Sequence, residues 1–377
     1  MKQIALIHFL PLEYYPPVTN MINYLSEKLN SERNLSVFST QNTKNRTVYY
    51  NKSVKIYRTA SSENTDYRFV RLWKYFVFQI SVFFKLIIIR PENILYYESL
   101  SSFSVFLYKR FINHSVKIYI HYHEYVSPDE YANKSMATER FFHKPEQKYL
   151  YKNSVWISHT NKDRLKMFLN DYPNIDKNIL KEMPNYPPKL WTKVLIRKPF
   201  NIKKNPLKCV YIGALSFEET YIKEFTEWVL HQTGNITFDI FTYNLYPETN
   251  EYLQNIQSPY IKFNCSGVEY SNLPLILSQY HVGIILYKAN TKNYEFNAPN
   301  KLFEYLTCGL DVWFPDVMKG ILPYVQIKNP QKIVPLDFNS INKFDWKNSI
   351  TLTNFNRNDS FYICEKIYKR IIKGLNS

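Results

Sequence analysis

The stretch Asn297-Ala-Pro-Asn300-Lys301-Leu302-Phe-Glu304-Tyr-Leu-Thr-Cys-Gly309 sets asparagines, a lysine, a glutamate and a glycine at the spacing of a short capped helix. Asn300 is expected at the N-cap and Gly309 just past the last turn, with Lys301 and Glu304 one turn apart. The start of such a helix offers free N–H groups and a partial positive charge to a diphosphate. A glutamate one turn in can accept both hydroxyls of a ribose. An ordinary capped helix with an i,i+3 ion pair has the same pattern, and the residues alone leave both readings open. A second candidate is Tyr119-Ile-His121-Tyr-His123-Glu124, where alternation puts two imidazoles on one face of a strand and a carboxylate at its end. Glu124 could serve there as a general base. His121 and His123 lack a third ligand at a telling spacing, so no metal site is assigned. No Gly-x-Ser-x-Gly context supports a serine or cysteine nucleophile.

These residues need strands and helices to position them. The first half alternates strand patterns at 4–9, 35–39, 54–57, 94–97, 116–122 and 155–159 with helical patterns at 18–29, 70–89, 103–111, 137–151 and 162–169. Such alternation predicts a mostly parallel sheet with helical crossovers. Pro184-Asn185-Tyr186-Pro187-Pro188 ends the series. A second series follows, with strands at 208–212, 237–242, 261–264, 282–286 and 312–314 and helices at 220–231, 248–257, 273–280 and 301–307. A loop-rich stretch then leads to an amphipathic helix at 360–375. The fold class read from this is α/β, with two doubly wound, Rossmann-like parallel-sheet domains facing across a cleft. The expected boundaries are 1–190 for the first domain, 191–206 for a linker, 207–358 for the second domain and 359–377 for a C-terminal helix returning to the first.

Composition narrows the chemistry. The 377 residues include only seven glycines, none of them among the first 212. That excludes a glycine-rich dinucleotide loop or a P-loop there, since both need glycines where backbone approaches phosphate. Residues 1–200 hold 30 lysines and arginines against 16 acidic residues, a surplus of +14; the rest of the chain carries +2. A basic half implies an anionic partner, for which membrane headgroups, a phosphate-bearing substrate and nucleic acid compete. No helix-turn-helix, RRM or zinc module supports nucleic acid, and none is expected as a partner. The run at 73–89 is short for a membrane span and carries Lys74, Gln79 and Lys85. With its aromatic and basic residues it reads as a helix of the domain with interfacial character. The first ten residues read as a strand and not as a signal peptide. The four cysteines are widely spaced without a C-x-x-C, which fits a reducing, cytoplasmic setting.

The 299–309 stretch resembles the nucleotide-sugar motif of GT4-like glycosyltransferases of the GT-B class, of the form P-N-K-[LI]-[FY]-E-Y-L-A-x-G. Other segments resemble that family in the same order: Tyr211-Ile-Gly213-Ala214-Leu-Ser216, Cys265-Ser-Gly267-Val268, His281-Val-Gly283, the His123-Glu124 strand end and Met183-Pro-Asn185. The resemblance implies that Glu304 binds the ribose, while Asn297, Asn300, Lys301 and Leu302 lie near the diphosphate with Gly213 and Ala214. Gly267 and Val268 would meet the base, and His123 and Glu124 would be the catalytic pair, lining the sugar and acceptor side. Pro16-Pro17-Val18-Thr19-Asn20 stands where the family has a Gly-Gly loop, so Tyr15, Thr19 and Asn20 are expected on the acceptor side. Three departures stand out. Phe296, eight residues before Glu304, replaces a carboxylate, with Glu295 one position off. Ala214 replaces an arginine, and the nearest lysine beyond it is Lys223.

The function expected from these readings is transfer of a sugar from a nucleotide-sugar donor to a glycan or lipid-linked saccharide in surface polysaccharide biosynthesis. No cofactor or metal is expected, which agrees with the lack of a D-x-D motif. Retention is implied by the resemblance, and inversion would follow if Glu124 is the base. The expected setting is cytoplasmic, peripheral on the anionic inner membrane face. The alternatives are a catalytically silent scaffold of the same fold and a basic nucleic-acid-binding protein.

Overall fold

Strands that are buried along their whole length must be covered on both faces, and this governs the architecture. Ile4–His8, Leu35–Thr40 and Asn93–Tyr97 are buried at every position. The computed structural model describes residues 3–29, 35–42, 47–62, 66–193, 205–243, 246–327, 329–351 and 361–376. The chain divides into two units, Met1–Asn185 with Cys364–Ser377, and Tyr186–Ile363. Most of the expected linker lies outside the described residues.

The first unit is built on seven strands: β1 (Ile4–His8), β2 (Leu35–Thr40), β3 (Lys55–Thr59), β4 (Asn93–Tyr97), β5 (Lys117–Tyr122), β6 (Trp156–His159) and β7 (Leu180–Glu182). Every pairing is parallel, in the order β3-β2-β1-β4-β5-β6-β7. Strand addition therefore reverses between β1 and β4. The 22-residue helix Arg68–Ile89 is long and apolar enough to cross a membrane by composition. As the crossover from β3 to β4 it instead lays a narrow stripe, Phe78, Gln79, Val82 and Leu86, into the core. Gln79 is buried because it bonds at both ends, donating to the Leu100 carbonyl and accepting from the Ser104 N–H at 2.9 Å. Phe69, Trp73, Phe76, Phe84 and Ile88 on the same helix stay exposed. The final helix, Cys364–Asn376, packs back on this unit. Tyr368 donates to the Pro17 carbonyl at 3.0 Å, and Asn93 donates to that of Leu375 at 3.1 Å.

The second unit repeats the plan with six strands: β8 (Leu207–Ile212), β9 (Ile236–Phe241), β10 (Ile261–Asn264), β11 (Val282–Ile284), β12 (Asp311–Pro315) and β13 (Ile333–Leu336). The order β10-β9-β8-β11-β12-β13 is again all parallel and reverses between β8 and β11. Phe225, Trp228 and Trp313 belong to the core on one face; Leu302, Phe303 and Tyr305 belong to that on the other. The edge strands β7 and β13 are absent from the expectations above. Leu180-Lys-Glu has no β-branched residue, and Pro335 cannot donate within a ladder, which restricts it to an edge.

Candidate functional site

Ligands of open α/β sheets bind beyond the carboxyl ends of the strands, where strand order reverses. In the second unit that point lies between β8 and β11, which pair through only Val282 with Cys209 and Gly283 with Val210. Past these pairs the strands part, and the Tyr305 hydroxyl fills the gap, accepting from the Ile212 N–H at 3.2 Å and facing the Ile284 carbonyl at 3.5 Å. Tyr305 reaches that far because Gly283 has no side chain; a Cβ there would stand 2.1 Å from its ring. The helix carrying the motif, Asn300–Thr307, is thereby seated on the sheet.

The helix begins one residue earlier than expected. Pro299 occupies the N-cap, Asn300 is the first helical residue, and no side chain caps the end. The Leu302 N–H is bonded to the Pro299 carbonyl at 3.0 Å, and the Leu302 side chain is fully buried. At the other end Gly309 has φ 80°. The Gly309 and Leu310 N–H groups bond the carbonyls of Leu306 and Tyr305, each at 3.0 Å, closing a Schellman turn.

Lys301 does not pair with Glu304. Its ammonium donates to the hydroxyls of Tyr287 at 3.0 Å and Tyr211 at 3.2 Å, and lies 4.6 Å and 4.3 Å from their ring centres. Burial alone would lower this ammonium; the two tyrosines outweigh it and hold it above its ordinary value. Gly213, with φ 149°, lies directly against it, and a Cβ there would come within 2.5 Å of Nζ. Ala214 is exposed beside it, its carbonyl accepting from the Tyr211 hydroxyl at 2.6 Å. The Glu304 carboxylate is half-buried and, among the described residues, makes no hydrogen bond or ion pair. Burial raises it to about 7, against the pull of Lys301.

Gly267 (φ 65°) rests on the ring of Tyr243, beyond the end of β9, and Val268 is packed beside the second core. Asn297 is half-buried at the foot of the motif. Glu295, the carboxylate nearest the place held by Phe296, is tied to Lys319 at 2.5 Å. Lys223 is exposed on the helix Ile222–His231.

In the first unit the reversal point lies between β1 and β4, and a pocket of about 160 Å³ opens there. His8, Tyr15, Tyr97, Glu98, His123 and Glu124 are among its lining residues. Tyr15 lies face to face with His123 at 5.9 Å, so this loop residue joins the pocket. Thr19 and Asn20 do not line it; the Thr19 hydroxyl donates to the Pro16 carbonyl within its own helix, and Asn20 is buried. Glu124 is exposed at the end of β5. The His123 imidazole is kept neutral, driven well below its ordinary value by burial and then by His121 and His8; the Asn185 side chain pulls the other way. Arg164 is not among the residues lining the pocket; its guanidinium is held behind it by the Thr160 hydroxyl and the His123 carbonyl, and its charge helps keep the His123 imidazole neutral. His121 bonds the Ser158 hydroxyl at 2.9 Å, and among the described residues no three histidine, cysteine or acidic side chains form a group able to hold a metal.

Three residues escaped sequence reading. Tyr211 and Tyr287 fix Lys301, and nothing in their spacing signals it. Glu98 follows β4 as Glu124 follows β5, a signal that was present. Its carboxylate accepts from the His123 N–H at 2.6 Å, and burial, then Glu124, raise it to about 8.

Two parallel sheets with the same reversal, one unit completed by the last helix, define the GT-B fold. Solved structures with this fold match the chain end to end. HepE of Anabaena, in complex with UDP and glucose, is 11% identical with a TM-score of 0.69, covering all of both chains. Sucrose-phosphate synthase of Thermosynechococcus elongatus is 13% identical with a TM-score of 0.63, over 100% of this chain and 95% of that one. A putative UDP-N-acetylglucosamine 2-epimerase of Listeria monocytogenes is 9% identical with a TM-score of 0.61, over 100% and 96%. No protein-family model and no curated protein sequence matches the chain.

Proposed function

We propose that this chain is a glycosyltransferase that moves a sugar from a nucleoside-diphosphate sugar to a hydroxyl of a glycan or lipid-linked saccharide. The observation that carries the reading is the convergence of the Gly213 turn, Lys301 and Glu304 at the reversal point of the second sheet. Transfer breaks the bond between the anomeric carbon and the diphosphate and makes one to the acceptor oxygen, which gives up its proton. Charge growing on the diphosphate would meet the Lys301 ammonium and the first amides of the Asn300–Thr307 helix, both fixed in advance. Charge neutralisation is assigned to these groups and not to a metal ion. Glu304, ionised, would accept the ribose hydroxyls, and the turn at Gly267 and Val268 would meet the base. His123 and Glu124 would act on the sugar side in the first unit. The UDP and glucose bound to HepE support a UDP-sugar as donor. Retention follows from the resemblance and inversion from Glu124 as base; the anomeric proton coupling of the product distinguishes them. The surplus of basic residues in the first half and the exposed aromatic residues of Arg68–Ile89 support a peripheral place on the cytoplasmic membrane face and a role in surface polysaccharide synthesis.

Isothermal titration with UDP, GDP and their sugars, before and after Glu304→Ala, tests the donor site. The expected result is binding of one nucleotide series that weakens at least tenfold in the variant. Binding that survives the substitution unchanged, or no nucleotide bound at all, would sink the assignment. A second reading, a scaffold that has lost transfer, is favoured by Phe296 and by the engagement of Glu295 with Lys319. Transfer from a radiolabelled UDP-sugar into membrane extract separates the two. Running UDP-N-acetylglucosamine without acceptor and looking for its C2 epimer checks for epimerase activity.

A further inference from the structure

The pocket at the reversal point of the first sheet contradicts its surroundings. It belongs to the strongly basic half of the chain, yet no described residue lining it is a lysine or an arginine. Three lining residues are glutamates: Glu98, Glu124 and Glu139. Its histidines are neutral, His8 being lowered to about 4 by burial. Its walls are aromatic, with the Tyr97 and His123 rings stacked at 5.2 Å. Some of its buried polar atoms are unsatisfied: among the described residues His8 Nε2 and Tyr97 Oη make no hydrogen bond. Leaving such groups unpaired is costly unless something else completes them.

Glu98 adds a backbone signature. Its φ of 61° and ψ of 155° lie in a region that only glycine occupies readily. The strain is held in place from both sides. Its N–H donates to the His121 carbonyl at 3.2 Å, and the next residue, Ser99, donates to buried Glu146 at 2.7 Å. The carboxylate of this strained residue accepts from the His123 N–H and also lines the pocket, where it can meet a ligand.

We propose that this pocket holds an uncharged sugar ring of the acceptor, with Glu98 as the group that reads its hydroxyls, and that it rejects anionic sugars. Neutral donors and acceptors on aromatic walls match a ring whose hydroxyls both give and accept hydrogen bonds. Glu124 and Glu139 repel a carboxylate or phosphate on the ring. The proposal rests on the transferase reading and supplies its acceptor class. The basic surface of this half then attracts the anionic part of the acceptor, and the pocket takes the neutral end.

Saturation-transfer NMR with methyl glucoside, methyl galactoside and methyl glucuronide, without nucleotide, tests it. The expected result is binding of a neutral glycoside at least tenfold tighter than the glucuronide, unaffected by added UDP-glucose. Glu98→Gly is expected to lose that binding, its relaxed backbone offsetting in part the lost bond to the His123 N–H; Glu98→Gln, which keeps an acceptor for that N–H, is expected to keep part of the binding. Should the Glu98 variants fail to fold, Glu139→Lys is the second probe and is expected to admit the glucuronide. Equal binding of glucoside and glucuronide, full binding by Glu98→Gly, unchanged discrimination by Glu139→Lys, or displacement of the glycoside by UDP-glucose would each overturn the proposal. Glycoside binding without any nucleotide binding would refute the transferase reading alone. Nucleotide binding with no glycoside discrimination would refute this proposal alone.

Discussion

Glu304 shows how a site residue can cost stability. In the unfolded chain its carboxyl ionises near 4.5, and in the fold near 7 because burial disfavours the charge. The folded state thus holds the proton more tightly, and stability falls as pH rises from about 4.5 to 7. Glu304→Gln carries no charge to bury. It is expected to raise stability at pH 8 by about 1–2 kcal/mol, a figure reduced because the group is only half-buried, and to change nothing near pH 4. Thermal melts at both pH values check this. The wild type should bind UDP-glucose more tightly as pH climbs through 7, since the sugar nucleotide itself does not titrate there. The glutamine variant should be roughly tenfold weaker, about 1.4 kcal/mol, and nearly flat with pH. Glu304 was legible in the sequence through its motif, but its missing ion pair was not, because the tyrosines that take Lys301 come from β8 and from the segment after β11. Glu98 was legible in part, since it follows β4 as Glu124 follows β5; the backbone angle that sets it apart has no counterpart in spacing.

At the scale of elements, the seat of the Asn300–Thr307 helix is a glycine under a tyrosine. Gly283→Ala would drive a methyl group into the Tyr305 ring and push the helix away from the sheet. Overpacking of this kind costs about 1–3 kcal/mol. Urea unfolding should show that loss, and UDP-sugar affinity should fall with it because Lys301 and Glu304 ride on the same helix. Gly283→Ala with unchanged stability and affinity would count against this seat. Most helices and central strands could be read from their apolar patterns, since a strand such as Ile4–His8 is apolar up to its last residue. The short edge strands β7 and β13 could not: one is too polar and the other contains a proline. The helix start was misplaced by one residue because Asn300 is a better cap by type than Pro299, while the extended backbone falls on the proline, with ψ 156°.

For the whole molecule, charge and exposed aromatic surface concentrate in the same half. Arg68–Ile89 carries Trp73 and Phe76 into solvent near Arg71 and Lys74, although Lys74 is partly satisfied by Asp66 at 2.7 Å. The protein is expected to float with vesicles containing anionic lipid at low salt and to be released as ionic strength rises. Trp73→Ser with Phe76→Ser should remove most of that binding and leave nucleotide affinity intact. Flotation that is indifferent to both salt and these substitutions would reject membrane docking through this helix. The Cys364–Asn376 helix has a consequence for biosynthesis. A ribosome finishes β1 to β7 long before it makes the segment that supplies a partner for the Pro17 carbonyl and covers Tyr119, where Gly374 comes to rest. The first unit must therefore wait, incomplete, through translation of the whole second unit. Deletion of the Cys364–Asn376 helix would thus be felt first in the unit that is translated before the other one.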